Sequence, residues 1–136
     1  MANTFHLVVY TPYGKYFDGN ATFLEVHSEK YNLGILPGHA SLVSTVDICK
    51  MIIRTEQDTF IYACGGGAIN ITKEKVTLLL DAIERVDEID LERAKEAKLR
   101  AEKRLEEAYK NDTIDVNRAK IALLKALNRI NLVSKD

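Results

Sequence analysis

Up to about residue 85 the apolar residues fall in short runs separated by turn residues. "FHLVVY", "ATFLEVHS", "LGILPG", "ASLVSTV", "CKMIIRT", "TFIYACG", "AINIT" and "KVTLLLD" are rich in Val, Ile, Thr, Phe and Tyr. Runs of this length, so closely spaced, predict an antiparallel sandwich or barrel. In "ATFLEVHS", alternation puts Leu24 and Val26 on one face and Phe23 and Glu25 on the other, as in a half-buried strand. The polar stretch "TKEK" at 72–75 predicts a turn. All seven glycines and both prolines lie before residue 68.

From Asp87 onward the period becomes helical. Ala94, Ala97, Ala101, Leu105 and Ala108 recur at steps of three and four, with charges on the other faces. Ala119, Ala122, Leu123, Ala126, Leu127 and Ile130 repeat the design, and "YKNDTID" between them carries the turn signals Asn111 and Asp112. Two antiparallel helices follow, a helical hairpin. The predicted fold class is α+β, mainly β: an antiparallel β-sandwich over 1–86, then a two-helix hairpin over 87–136. An alanine stripe lets helix axes approach closely but buries little area, so this hairpin is expected to be marginal alone and able to detach.

"IDLERAK" at 89–95 returns as "IDVNRAK" at 114–120. N-capping by Asp90 and Asp115, each after an apolar staple residue, accounts for Ile-Asp in both copies. It does not account for Arg and Ala at the same offset twice, which leaves a local duplication or a shared ligand open.

Charge and composition narrow the classes. A formal net charge of -1 gives no global field for nucleic acid or anionic lipid. No apolar run is long enough to span a membrane, and "MANTFHLVVYTPYG" has no export-signal pattern. Cys49 and Cys64 fit no metal spacing and read as buried reduced thiols of a cytosolic protein.

Candidate chemistry is sparse in the β half. His6, His27 and His39 have no ligand spacing, and no "HExxH" or "GxSxG" pattern occurs. In "LGILPGHASLV" His39 follows Pro-Gly, a strong turn signal, and reads as a structural histidine bonding backbone at a corner. "CGGGA" lacks the Lys-Ser/Thr of a phosphate loop and precedes a strand, so it predicts a tight bend or bulge where another backbone approaches. The helical half offers more. Arg93 and Arg100 share one helix face, and Arg118, Lys125 and Arg129 share a face of the other. Converging, they would form a cationic pocket for a polyphosphate. A solvated charged face is the alternative, given Glu92, Glu96 and Glu102 nearby.

"LGILPGHASLV", "VTLLLDAIER" and "IDLERAKEAKLRAEKRLEE", in that order and spacing, resemble the epsilon subunit of the bacterial F-type ATP synthase over essentially the whole chain. The resemblance implies a ten-stranded sandwich that binds the gamma subunit and rests on the c ring, within the rotating central stalk. It implies that the hairpin lies on the sandwich or extends along gamma toward the catalytic alpha-beta hexamer, where it inhibits ATP hydrolysis. The chain itself would catalyse nothing and need no cofactor, and it would meet the cytoplasmic face of the membrane only through the complex. Tyr31, Asn32, Pro37, Gly38 and His39 would face gamma and the c ring. Some members bind ATP on the folded hairpin, which implies a site at Glu84, Ile89, Asp90, Arg93, Ala94, Arg100, Lys125 and Arg129, with magnesium left open. Asn32 stands where the family usually has an acidic residue, Ser41 where a proline is frequent, and Lys125 where ATP-binding relatives have arginine. Gly65–Gly67 is one glycine longer than the usual pair. Two other classes compete: a stand-alone adaptor binding a partner helix through the hairpin, and a small enzyme using His39, Asp47 and Cys49.

Overall fold

The structure, a computed structural model, describes residues 3–111 and 115–134. Eight strands precede two helices: β1 (Phe5–Thr11), β2 (Gly14–Ala21), β3 (Phe23–His27), β4 (Asn32–Ile35), β5 (Leu42–Arg54), β6 (Thr59–Ile71), β7 (Val76–Leu80), β8 (Ile83–Arg85), α1 (Leu91–Ala108) and α2 (Val116–Ser134). A single 3-10 turn, Val86–Glu88, precedes α1. The chain divides into two compact units after Arg85.

The strand order is β2-β1-β7-β6-β5-β3-β4, with β8 also on β6. β6 uses its second half, Gly67–Ile71, to pair β7, and its first half to pair β8 through Tyr62–Cys64. β5 runs antiparallel to it along the whole length and pairs β3 only through its last residues. One layer is therefore β2, β1, β7 and the adjoining halves of β6 and β5. The other is β4, β3, the remaining halves of β5 and β6, and β8. Counting β5 and β6 once in each layer turns eight strands into the ten that the resemblance implies. One pairing departs from the antiparallel expectation: β1 and β7 run parallel, because the chain between them passes through the other layer.

Four of the predicted runs are thus two long strands. β5 and β6 hold one register from Leu42↔Ile71 to Arg54↔Thr59, but Asp47 and Gly66 are left out of the pairing. At that point the inward face of β5 moves from Val46 to Cys49, Met51 and Ile53, so the alternation breaks phase inside a continuous strand. The glycine run makes this bend possible. A Cβ on Gly67 would collide with the Leu79 carbonyl oxygen, and Gly66 has φ +88°. The Gly65 N–H donates to the Ala82 carbonyl and the Asp81 N–H to the Gly66 carbonyl, both at 2.8 Å. A neighbouring backbone does approach, as expected.

Between the layers lie Leu7, Val9, Leu24, Val26, Ile35, Met51, Ile53, Ile69, Ile71 and Leu78. β2 was not expected from the pattern. It is an edge strand whose exposure persists almost to Ala21, with a bulge opposite Val9 and Tyr10, so it carries little hydrophobic signal. Thr72 closes the predicted polar turn, its N–H donating to the Lys75 carbonyl at 2.9 Å.

In the hairpin both caps form. Asp90 Oδ1 accepts from the Arg93 N–H and Asp115 Oδ1 from the Arg118 N–H, each at 3.2 Å. Asp112 and the staple residue Ile114 lie outside the described residues. The buried side chains of the described hairpin are all alanines: Ala94, Ala101 and Ala108 on α1, Ala119 and Ala126 on α2. Each set advances by seven, which keeps one narrow seam facing the partner helix.

Candidate functional site: a cationic groove in the hairpin

The seam determines what can stand beside it. Alanine stops at Cβ, so two helices joined through alanines approach closely and leave a shallow floor. Along that floor, between the two helices, runs a groove of about 680 Å3. Ala97, Ala101 and Ala122 form its small-residue base, and Arg100, Lys103, Arg104, Lys125 and Arg129 line it with Glu107. Five cations face one carboxylate. Their aliphatic stems can lie along the floor and carry the charged heads to the rim. Guanidinium groups at Arg100, Arg104 and Arg129 offer the planar fork that matches phosphate oxygens, while Lys125 and Lys103 act as point charges.

Of the residues expected in a nucleotide site, the groove brings together Arg100, Lys125 and Arg129 from both helices. Lys103 and Arg104 were missed. The signal was present, because Arg104 follows Arg100 by four and Lys103 by three, which places them on one face. Arg93 lies seven residues before Arg100 on that face, about 10 Å toward the helix start. Its backbone N–H is taken by the Asp90 cap. Ala94 is 4% exposed and belongs to the seam, so its side chain serves packing. Ile89 is half-buried just before the cap, and Glu84 sits on β8 in the sandwich unit. The repeated "ID-x-x-RA" resolves in part: in both copies Asp caps the helix and Ala, at 94 and 119, packs the seam, whereas the arginines are not among the buried residues.

The five residues expected to face other subunits fall at the two ends of β4. Leu36, Pro37, Gly38 and His39 make the β4–β5 corner. The His39 N–H donates to the Leu36 carbonyl at 3.1 Å, and Gly38 has φ +84°, the geometry of a type II turn with proline in second place. His39 Nδ1 lies 2.7 Å from the Ala40 carbonyl oxygen, so this histidine is structural, as its position after Pro-Gly suggested. The corner borders a cleft of about 390 Å3 that His6, Ser41 and Lys73 also line. Tyr31 and Asn32 stand at the other end. The Tyr31 hydroxyl is 3.3 Å from Ser44 Oγ, and Asn32 Oδ1 is hydrogen-bonded to His27 Nδ1. Asn32 thus presents an amide engaged with a histidine at the end of β4.

No nucleophile is set beside a base at the corner, and no group of three or more His, Cys, Asp or Glu side chains could hold a metal among the described residues. A β-sandwich unit followed by a helical-hairpin unit, with a cationic groove in the hairpin, defines a two-module chain whose most developed surface is a binding groove. The family models divide the chain in the same place. The ATP synthase Delta/Epsilon chain beta-sandwich domain matches residues 4–86, and the long alpha-helix domain of the same chain matches 87–134. The ATP synthase epsilon chain of Pelotomaculum thermopropionicum is 42% identical over 102 residues, covering 75% of this chain and 76% of that one. That of Halalkalibacterium halodurans is 37% identical over 105 residues, covering 77% and 79%. A chain in the Euglena gracilis mitochondrial ATP synthase structure has the same fold, with TM-score 0.78 over 94% of this chain and 80% of that one at 15% identity. This chain belongs to the ATP synthase delta/epsilon family and, like its relatives, is a non-catalytic subunit rather than an enzyme.

Proposed function

We propose that this chain is the epsilon subunit of a bacterial F-type ATP synthase, at the cytoplasmic face of the membrane, and that it couples the rotor to the catalytic core. The sandwich binds the gamma subunit and rests on the c ring through the ends of β4. The hairpin is a brake. Extended, it reaches the alpha-beta hexamer and inhibits ATP hydrolysis; folded, it holds ATP. The observation that best supports the reading is the match of both family modules, end to end, in a chain whose hairpin cations converge from two helices.

The groove gives the regulatory step its physical basis. Arg100 comes from α1, and Lys125 and Arg129 from α2, so the site exists only while the helices lie together. A ligand that binds one conformer must favour it. At 100 times the dissociation constant, ATP would shift the balance by about 2.7 kcal/mol, enough to matter for a hairpin with so small a seam. The triphosphate meets the cations and its charge replaces their mutual repulsion.

The test compares the full chain with one lacking residues 88–136, each reconstituted with membranes stripped of their own copy. Both should bring gamma down in a pull-down read by mass. The truncated form should support synthesis and release hydrolysis from inhibition. Failure to capture gamma would contradict the stalk assignment. Unchanged hydrolysis, where the intact chain inhibits, would contradict the brake.

A further inference from the structure

Cys49 and Cys64 are opposite one another in the β5–β6 register. Both point between the layers, 8% and 1% exposed. They sit beside the bend where these two strands pass from one layer to the other, Cys49 two residues after Asp47 and Cys64 two residues before Gly66. The two thiols are close enough to shift each other's titration, Cys49 down and Cys64 up, and the His27 backbone acts on Cys49 in the same direction as Cys64 does. Directly opposed residues of antiparallel strands have Cα atoms about 4.5 or 5.5 Å apart, and both spacings fall within the range of roughly 4.4–6.8 Å that a disulfide spans. No metal role or packing need calls for two thiols in contact here, since alanine or valine would fill a core position without a reactive group.

We propose that Cys49 and Cys64 are an oxidant-closed pair, a modification site at which a peroxide converts two buried thiols into an intramolecular disulfide. Cys49 is the entry point, because it is the less buried and both Cys64 and the His27 backbone favour its thiolate. Burial and the adjacent Cys49 push the Cys64 thiol up, so it stays protonated and waits. The Cys49 thiolate attacks one peroxide oxygen; the O–O bond breaks, leaving a sulfenic acid and, after protonation, one water. Cys64 sulfur then attacks the Cys49 sulfur; the S–O bond breaks and a second water leaves. Two thiols lose two electrons in total, and the peroxide gains them. An external dithiol reverses the reaction by exchange. The closed bridge ties the two long strands together at their bend and closes a loop of about 15 residues.

The full chain is treated with hydrogen peroxide, denatured and alkylated, and its intact mass and peptides are read. The expected product is monomeric, lighter by two hydrogens, refractory to alkylation, and linked between Cys49 and Cys64. Its melting temperature should rise by on the order of 10 °C and fall back with dithiothreitol. The C64A variant keeps Cys49 as sulfenic acid, trapped by a dimedone probe, whereas C49A leaves Cys64 unmodified. Disulfide-linked dimers, sulfinic acid on Cys49 of the natural chain, or two fully alkylatable thiols after peroxide would each overturn the proposal.

Discussion

The two units bury different things. The sandwich encloses Leu7, Leu24, Ile35, Met51, Ile53, Ile69, Ile71 and Leu78 almost completely, and burying each such side chain contributes about 1.5–3 kcal/mol. The described hairpin encloses only alanines, whose single methyl contributes about 0.8 kcal/mol. One unit is held by its core and the other by caps, a narrow seam and whatever it binds. The difference is what the proposed brake requires. A hairpin that leaves one resting place for another must be weakly held, and a leucine-packed seam would hold it far more tightly.

The comparison predicts that substitutions divide cleanly between the units. L78A should cost about 2–5 kcal/mol and lower the main melting transition, because the cavity opens at the centre of the sandwich. The reading breaks if the main transition of that variant falls where that of the natural chain does. The helical counterpart is A101L. Added bulk in the seam forces the axes apart and should cost about 1–3 kcal/mol, reducing helical signal while the sandwich melts as before. Loss of the sandwich transition in that variant would show the two units are not separable.

Smaller effects sharpen the same point. D90A and D115A each remove an acceptor for a helix-end N–H, at about 1 kcal/mol. Only the helical signal should weaken, and equal weakening from both caps would show that neither helix forms alone. The smallest effect belongs to the surface of the sandwich. Hydrogen bonds from His6 and Lys15 hold the Asp18 carboxyl below the usual carboxylate range. Its contribution is present above the unfolded carboxylate pKa, about 4, and is lost as pH falls through the depressed folded value. D18N should therefore flatten the acid limb of the stability curve slightly and leave neutral pH nearly unchanged, as titration of thermal melts would show.

The sequence pattern carried the two periods, both helix caps, the glycine bend and the structural role of His39, because each is a local signal. Long strands escaped it. "ASLVSTV" and "CKMIIRT" looked separate because the alternation changes phase at Asp47, where the pairing lapses while the strand continues. β2 hid because its edge position leaves few buried residues, and β8 because three residues show no period. The opposition of Cys49 to Cys64 depends on register across an intervening turn, which neither run specifies. At the groove, steps of seven and four found Arg100, Lys125 and Arg129, but Lys103 and Arg104 were passed over, because only the second helix beside them shows which charges of α1 line the groove.

Hydrogen exchange of the full chain with and without millimolar ATP, read by mass, tests the central claim most directly. Amides of α1 and α2 should exchange far faster than those of β5, β6 and β7. ATP should slow the helices selectively, and R100A with R129A should remove that protection while leaving the strands as they were. Uniform exchange in both units, or helices indifferent to ATP, would contradict a hairpin that is weakly held and ligand-locked.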